Sequence, residues 1–379
     1  MLNNKRYVRM LTGLTALLLG VCGCAVPPET ISAPSGVQAP VAPANVPEKP
    51  DAAADAGGAP VTLNLADFGA AGNGQADDTA ALRNAVSAVL EAGGGTVYLP
   101  AGTYRLTDTL MLTGDDSALL TLRADPTGQT VLVADASVNG PAVWIERSGV
   151  TLFGLDIILG TTEDQPAVLV TGSHVTLDSV TARMTAGNTQ PGFLVYGSYD
   201  TLRNCGVGYV SDTQYMVVFS KMPGLDAVGN VLEDCHFGGM AGKCVLVTSE
   251  DDNGVPEQLT IRRNVFLVVG CDQVEVRAAR NLYITDNMLD AAGVCVLLDP
   301  LPAGVRGVQI TDNYCGASTG GARTGGVRTE SAYGGTLENV IVSANYFWCP
   351  NAVRVVLPEY TGFSLTDNYF VLTGGDAVY

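Results

Sequence analysis

The sequence is short of positive charge. Lys plus Arg number 20 in 379 residues against 38 Asp plus Glu, a formal net charge of −18. Beyond residue 60 the only lysines are Lys221 and Lys243. Such a chain has no basic footprint for DNA or RNA, so a nucleic-acid partner is not expected. Histidine is scarcer still, His174 and His236 alone, which argues against a multi-His metal site. Charged residues of both signs make up only 15% while 47% are hydrophobic, a balance that disordered chains do not have. What is abundant is glycine, 45 residues, well above the usual ~7%. With many Val and Thr, this points to a turn-rich β-protein. The length suffices for one large domain or two ordinary ones.

The first residues read as an address. Lys5, Arg6 and Arg9 precede a short apolar run, Leu11 to Val21, that ends in Val21-Cys22-Gly23-Cys24. The run is too short for a comfortable membrane span. The pattern resembles a bacterial lipoprotein signal, cleaved before a lipidated cysteine, and Cys24 fits better than Cys22 because a small residue precedes it. Residues 1–23 are therefore expected to be a signal peptide. The protein would be exported and held to the cell membrane by its lipid, at the bacterial surface or in the periplasm. Residues 24–60 are dominated by Pro and Ala and are expected to be a tether. Seven further cysteines, none in a C-x-x-C pair, are read as small buried hydrophobes.

The domain from residue 61 opens with a cassette. Asn73 and three glycines at 69, 72 and 74 form a tight turn. Asp77 or Asp78 then caps a helix whose apolar face is Leu82, Ala85, Val86, Val89 and Leu90. Gly93-Gly94-Gly95 ends it, and a strand to Pro100 follows. The pieces DFGAAGNG at 67–74, DDTAAL at 77–82 and GGGTVYLPAGTY at 93–104 resemble the pectate-lyase-like superfamily in its rhamnogalacturonase and epimerase-like branch. The resemblance implies an all-β fold, a single-stranded right-handed parallel β-helix with an N-terminal capping α-helix. It transfers no catalytic residue. The G-H-G and R-x-K of polygalacturonase-type hydrolases and the D-P-H-E of alginate epimerases are missing. Asp67, Asp77 and Asp78 are read as structural.

The remaining chain repeats. An aliphatic residue is followed three positions later by a marker: Leu155, Val180, Cys205, Cys235, then Asn264, Asn287, Asn313, Asn345 and Asn368. The intervals are 25, 25, 30, 29, 23, 26, 32 and 23 residues. Periods of this size describe a solenoid, here of about ten coils spanning 61–379. The five Asn are expected to stack as a ladder, each amide donating to the next.

About ten residues before most markers lies a second strand, seen at 142–146, 167–171, 193–196, 244–250, 273–277, 294–299, 326–330 and 352–356. Side-chain alternation turns Glu275, Arg277, Asp299, Arg328, Glu330 and Arg354 outward on successive coils. Thr248 and Glu250 share the preceding coil. Carboxylates on neighbouring coils suit glycosidic cleavage. Arg suits uronate carboxylates, or the base of a β-elimination. Glu275, Arg277, Asp299, Arg328 and Glu330 are therefore the catalytic candidates. Trp144 and Tyr196 are expected as exposed platforms for sugar rings, with Arg354 as a further substrate contact. Glu250, Asp251 and Asp252 cluster oxygen atoms that would suit Ca²⁺. The expected function is a surface-anchored protein that cleaves polysaccharide. The alternative is a non-catalytic β-helix that binds glycan or builds the envelope. The C-terminal coil is expected to stack on a partner or to be covered by a loop.

Overall fold

The computed structural model describes residues 60–160, 164–185, 187–208, 215–240, 243–251, 254–269, 271–290, 293–317, 324–357, 360–373 and 377–378. The expected leader, Cys24 and all of the tether but residue 60 lie outside them. No helix among the described residues is long and apolar enough to cross a membrane.

The chain winds as a parallel β-solenoid of about ten turns. Each turn contributes one strand to each of three faces, in the order face 1, face 2, face 3. Face 1 has ten strands, from Leu110–Leu112 to Val353–Arg354. Face 2 has twelve, from Val61–Asn64 to Tyr360–Thr366. Face 3 is two six-stranded sheets, one ending at Gly206–Gly208 and the other running from His236–Met240 to Tyr369–Val371. Inward side chains such as Leu122, Leu152, Leu177, Leu202, Leu232 and Ile261 fill the axis and are fully buried. Each contributes about 2 kcal/mol of apolar burial.

The helix α1, Thr79–Glu91, buries Ala81, Leu82, Ala85, Val86 and Val89 against the first strands of all three faces. Its two leading aspartates divide the work. Asp77 accepts from the Thr79 N–H and hydroxyl, while Asp78 accepts from Ala71 N and Gly72 N and so ties down the glycine turn. Gly95, just past the helix, is required: a Cβ there would lie 2.1 Å from the Val61 carbonyl oxygen. Leu65 and Phe68 belong to a 3₁₀ turn after Val61–Asn64.

The corner between faces 2 and 3 is one residue in the left-handed region followed by the marker. That residue is Gly154, Ser179, Asn204, Asp234, Arg263, Asp286, Asp312, Ala344 or Asp367, with φ between 52° and 73°. The markers stack behind it. Oδ1 of Asn287, Asn313, Asn345 and Asn368 each accepts, at 3.0 Å, both the backbone N–H and the side-chain amide of the Asn one rung before. Each amide also donates to a carbonyl of the rung before it, as Asn313 Nδ2 does to Ile284 O at 2.9 Å. Toward the N-terminus, Cys235 N donates to Asn264 Oδ1 and Cys205 N to Cys235 Sγ. The cysteines thus continue the ladder. Six of the seven are buried and Cys271 is half-buried.

A second left-handed column, which the sequence did not announce, stands where face 1 turns into face 2: Gly149, His174, Tyr199, Gly229, Gln258, Asn281, Gly307, Asn339 and Gly362. Its intervals equal those of the markers, so face 2 and its corner have constant length. Every insertion falls in the turns on either side of face 1. Two strands of face 1 were also not foreseen, Leu110–Leu112 and Tyr215–Lys221. The latter, YMVVFSK, is buried on both sides and so lacks the alternation that marks a half-exposed strand. At the far end Val353 N donates to Ala377 O and Val353 bridges Val378. The last strand segment thus returns to face 1; residues 374–376 and 379 lie outside the described set.

Two outcomes test this frame. Replacing Asn313 by Ala removes the acceptor for the Asn287 N–H and the donor for Ile284 O, each unmade bond costing ~1–3 kcal/mol. The urea midpoint should fall by the equivalent of about 3 kcal/mol. Asp200 concerns pH. It is fully buried and its Oδ1 accepts from Val175 N at 2.8 Å. Its Oδ2 has no hydrogen-bond partner, and burial pushes its carboxyl well above the usual range. The folded state then keeps a proton that the unfolded chain releases above about pH 4, so this group makes stability fall as pH rises. Asp200→Asn removes that dependence. The gap between variant and wild-type denaturation midpoints should widen with rising pH; a constant gap would refute the buried neutral acid.

Candidate functional site

The outer side of face 1 carries one continuous column in the order Met111, Trp144, Leu169, Leu194, Val218, Leu246, Glu275, Leu297, Arg328, Arg354. Leu246, not Thr248, is the partner of Glu275. The expected alignment is therefore shifted by two residues on that rung, because the strand Lys243–Ser249 starts earlier than its charged end suggests. Leu194, Val218, Leu246 and Tyr215 form a small apolar cluster on the outer side, apart from the main core.

Glu275 points outward as expected, yet it is only 2% exposed. Tyr215 OH donates to its Oε2 at 2.9 Å, Lys243 Nζ pairs with the same oxygen, and Arg277 Nε donates to Oε1 at 2.7 Å. Arg277 Nη2 also donates to Tyr215 OH at 2.8 Å. The Arg277 guanidinium lies 5.8 Å from the Tyr215 ring centroid and 5.0 Å from that of Tyr333. Lys243 reaches toward Asp272 as well, at 3.8 Å. Burial opposes ionisation of Glu275, but Lys243 and Arg277 outweigh it and hold its carboxyl below the usual range. Glu275 is thus a fixed anion that organises two cations and a phenol. Burial and then the Glu275 charge push the Tyr215 phenol far up.

One rung on, Asp299 is 4% exposed and accepts from Ala332 N at 2.8 Å. Burial raises its carboxyl above the ordinary range, and the charges of Glu330 and Glu275 add to the rise. Glu330 pairs with Arg328 at 2.9 Å, both side chains partly exposed. The structure thus gathers Glu275, Arg277, Asp299 and Glu330, with Arg328 beside them and Arg354 half-buried on the next rung. Tyr215, Lys243 and Tyr333 complete the cluster and were missed. Tyr215 begins a strand that burial on both sides hides, and Lys243 stands one residue ahead of the apolar run that marks its strand. Tyr333 sits in a turn that no periodicity marks.

The expected sugar platforms differ from expectation. Tyr196 is 9% exposed, with its hydroxyl on Glu250 Oε1 at 2.5 Å, so it presents no open ring. Trp144 is half-buried and donates its indole N–H to Thr171 Oγ1 at 3.0 Å. Of the calcium candidates, Glu250 is taken by Tyr196 and Asp251 pairs with Lys221 at 3.3 Å. Asp252 lies outside the described residues. Among the described residues no group of three His, Cys, Asp or Glu is placed to hold a metal ion.

Comparison with known proteins bears on the fold and the family. Mannuronan C5-epimerase AlgE1 of Azotobacter vinelandii is 46% identical over 77 residues, 19% of this chain and 5% of that protein. Plasmin and fibronectin-binding protein A of Streptococcus pneumoniae is 32% identical over 103 residues, 27% of this chain and 14% of that one. The chain therefore spans only a small part of these curated relatives. Among solved structures, PfbA, a surface adhesin of Streptococcus pneumoniae, superposes with a TM-score of 0.56 at 13% identity, over 84% of this chain and 93% of that one. A hyperthermoactive exopolygalacturonase from Thermotoga maritima gives 0.53 at 14% identity, over 81% and 92%. At these identities the superpositions speak for the fold alone. The sequence match that covers residues 62–274, more than half of the chain, is to the proteins described as rhamnogalacturonase A/epimerase, pectate lyase-like. The chain belongs to that family.

Proposed function

We propose that this protein acts on polysaccharide at the outer side of face 1, and that the substrate carries uronate groups. The observation that carries the reading is the buried Glu275, which fixes Lys243 and Arg277 in place. Cations held this way are preorganised to receive a sugar carboxylate, Arg277 by two parallel hydrogen bonds. Beside them stand Asp299, whose carboxyl burial raises above the usual range, and Glu330, paired with Arg328. Neighbouring rungs lie ~4.8 Å apart, close to the ~5–5.5 Å between the carboxyls of retaining glycoside cleavage. Asp299 is assigned as the proton donor to the leaving oxygen and Glu330 as its partner. Glu275 is a positioning residue, since an ion pair of this kind cannot supply a proton near neutrality. The family supports the polysaccharide class, and the mannuronan epimerase among its relatives acts on an acidic sugar polymer by its name.

The second reading, a glycan-binding protein without turnover, is favoured by one fact. Both Glu275 oxygens and the Tyr215 hydroxyl are already satisfied within the protein.

The two readings separate in an assay on polygalacturonate, alginate and rhamnogalacturonan, with and without EDTA, following reducing ends and the ultraviolet absorbance of unsaturated uronates. Asp299→Asn should lower turnover at least about 100-fold while leaving binding intact. Glu275→Gln should weaken binding. Because Asp299 must be protonated to act, wild-type activity should be lost on the alkaline side, as pH rises through its raised pKa. Binding without turnover in the wild type would establish the second reading.

The reading includes export and a lipid at Cys24, which would hold the domain at a membrane surface. In a bacterial host that processes lipoproteins, wild type should partition with membranes and incorporate labelled palmitate. Cys24→Ala should do neither, and a wild type that stays soluble would refute the anchor.

A further inference from the structure

The outer side of the later half of face 3 has no part in the reading above. Strand register sets Met288, Tyr314, Tyr346 and Tyr369 in one column. Asp290, Gly316, Trp348 and Val371 form the column beside it. Met288 and Tyr346 are each 41% exposed and Tyr369 62%. The Tyr314 and Tyr346 rings are parallel within 15° with centroids 5.7 Å apart; Tyr346 and Tyr369 are within 23° at 5.2 Å. A Cβ on Gly316 would fall 2.7 Å from Tyr314 Cε1 and 2.9 Å from Asp290 Oδ1. The Tyr314 ring therefore reclines across the glycine and lies low on the sheet. The parallel rings make this a stacked aromatic strip along the solenoid axis, with Asp290 the one charged residue of the two columns.

The strip is narrow. Four rungs at ~4.8 Å and two columns ~7 Å apart give about 20 Å by 7 Å, on the order of 150 Å². A stable protein interface needs ~800 Å² per partner, so a second copy or a globular partner is poorly matched. An extended peptide adds to a sheet edge through main-chain hydrogen bonds, and this is a face. A single polymer strand of sugar rings matches the width. Tyr369, on the last strand of its sheet, offers a ring face to the apolar face of a sugar, and the ring edges, Tyr hydroxyls and Trp indole N–H along the stack supply further contacts. Charge narrows the choice further, because a polyanion would meet Asp290 with no cation in either column.

The geometry points to a second carbohydrate site on face 3, a track for an uncharged polysaccharide chain lying along the solenoid axis, separate from the charged site on face 1. The two tryptophans make the test direct, since Trp144 lies on face 1, Trp348 lies on the strip, and the chain has no other. In Trp144→Phe, hydroxyethyl cellulose should shift or quench the emission of Trp348, whereas polygalacturonate should not. In Trp348→Phe the same neutral polymer should leave the emission of Trp144 unchanged. Adding Tyr346→Ala and Tyr369→Ala to Trp144→Phe should weaken binding about tenfold or more. The two Tyr→Phe changes should keep most of it. Failure of the neutral polymer to perturb Trp348, a response of Trp144 alone, or preference for the polyanion would each overturn the inference. If the alanine variants do not fold, the Trp348 response still decides. Turnover lost in Asp299→Asn leaves this result untouched, so the two readings fail separately.

Discussion

The one-residue corner between faces 2 and 3 governs the rest of the structure. A single left-handed residue reverses the chain sharply enough that the next residue drops into the core, and that residue stacks on its counterpart one rung away. Non-glycine residues pay a conformational cost in the left-handed region of roughly 1 kcal/mol each, and eight of the nine corner residues are not glycine. The compensation is local: five rungs of asparagine satisfy backbone N–H groups and carbonyls that a tight corner leaves without strand partners. In the earlier coils Leu155 and Val180 fill the same place with apolar volume. Because this corner tolerates no insertion, variation in coil length is displaced to the turns that flank face 1. Loops therefore gather around one face, and Tyr333 comes from one of them. The charged cluster lies on that face for the same reason.

Much of this was legible in the sequence because polar residues in an apolar stack announce themselves. The Asn markers carried the period, and the glycine-rich cassette carried the start. The outward position of Glu275 and Arg277 followed from alternation alone. What alternation could not convey was burial on the outer side. Tyr215–Lys221 went unseen because Tyr215, Met216, Val217, Val218 and Phe219 are all buried, and a strand covered on both faces loses its period of two. Glu275 looked like a surface acid for the complementary reason. Its partners Tyr215 and Lys243 are 60 and 32 residues away in sequence, so nothing nearby signalled an ion pair. Tyr196 looked like a platform until Glu250, two rungs on, was seen to hold its hydroxyl.

The electrostatics of face 1 follow from scarcity. In a chain with about twice as many acids as bases, an unpaired carboxylate is ordinary and a fixed cation is not. On face 2 the arginines are consumed in ion pairs, Arg203 with Asp178 and Arg262 with Glu233. These are half-exposed pairs of modest worth. On face 1 two cations converge on a single buried carboxylate, an arrangement whose removal leaves uncompensated charge in a low-dielectric setting. That is expensive to build if stability is its only purpose. Asp299 is the converse, an acid whose carboxyl burial and the neighbouring Glu330 and Glu275 charges raise. The carboxyls of one site are thus shifted in opposite directions by their surroundings.

The solenoid also separates its surfaces in a way a globular core does not. Each outward column is set by one position in the repeat, so a column changes character without disturbing its neighbours on other faces. Face 2 carries threonines at 62, 96, 121, 151, 176 and 201 in one unbroken register beside its row of ion pairs. Face 1 carries apolar residues that give way to charge at Glu275. The later part of face 3 carries stacked tyrosines. A Cβ at Gly316 would fall 2.7 Å from Tyr314 Cε1, so that one ring needs the glycine beside it. Core packing does not call for it, since Cys315 between them fills the interior. The glycine thus answers to the outward ring and the residue between them to the interior, so one strand serves two surfaces independently.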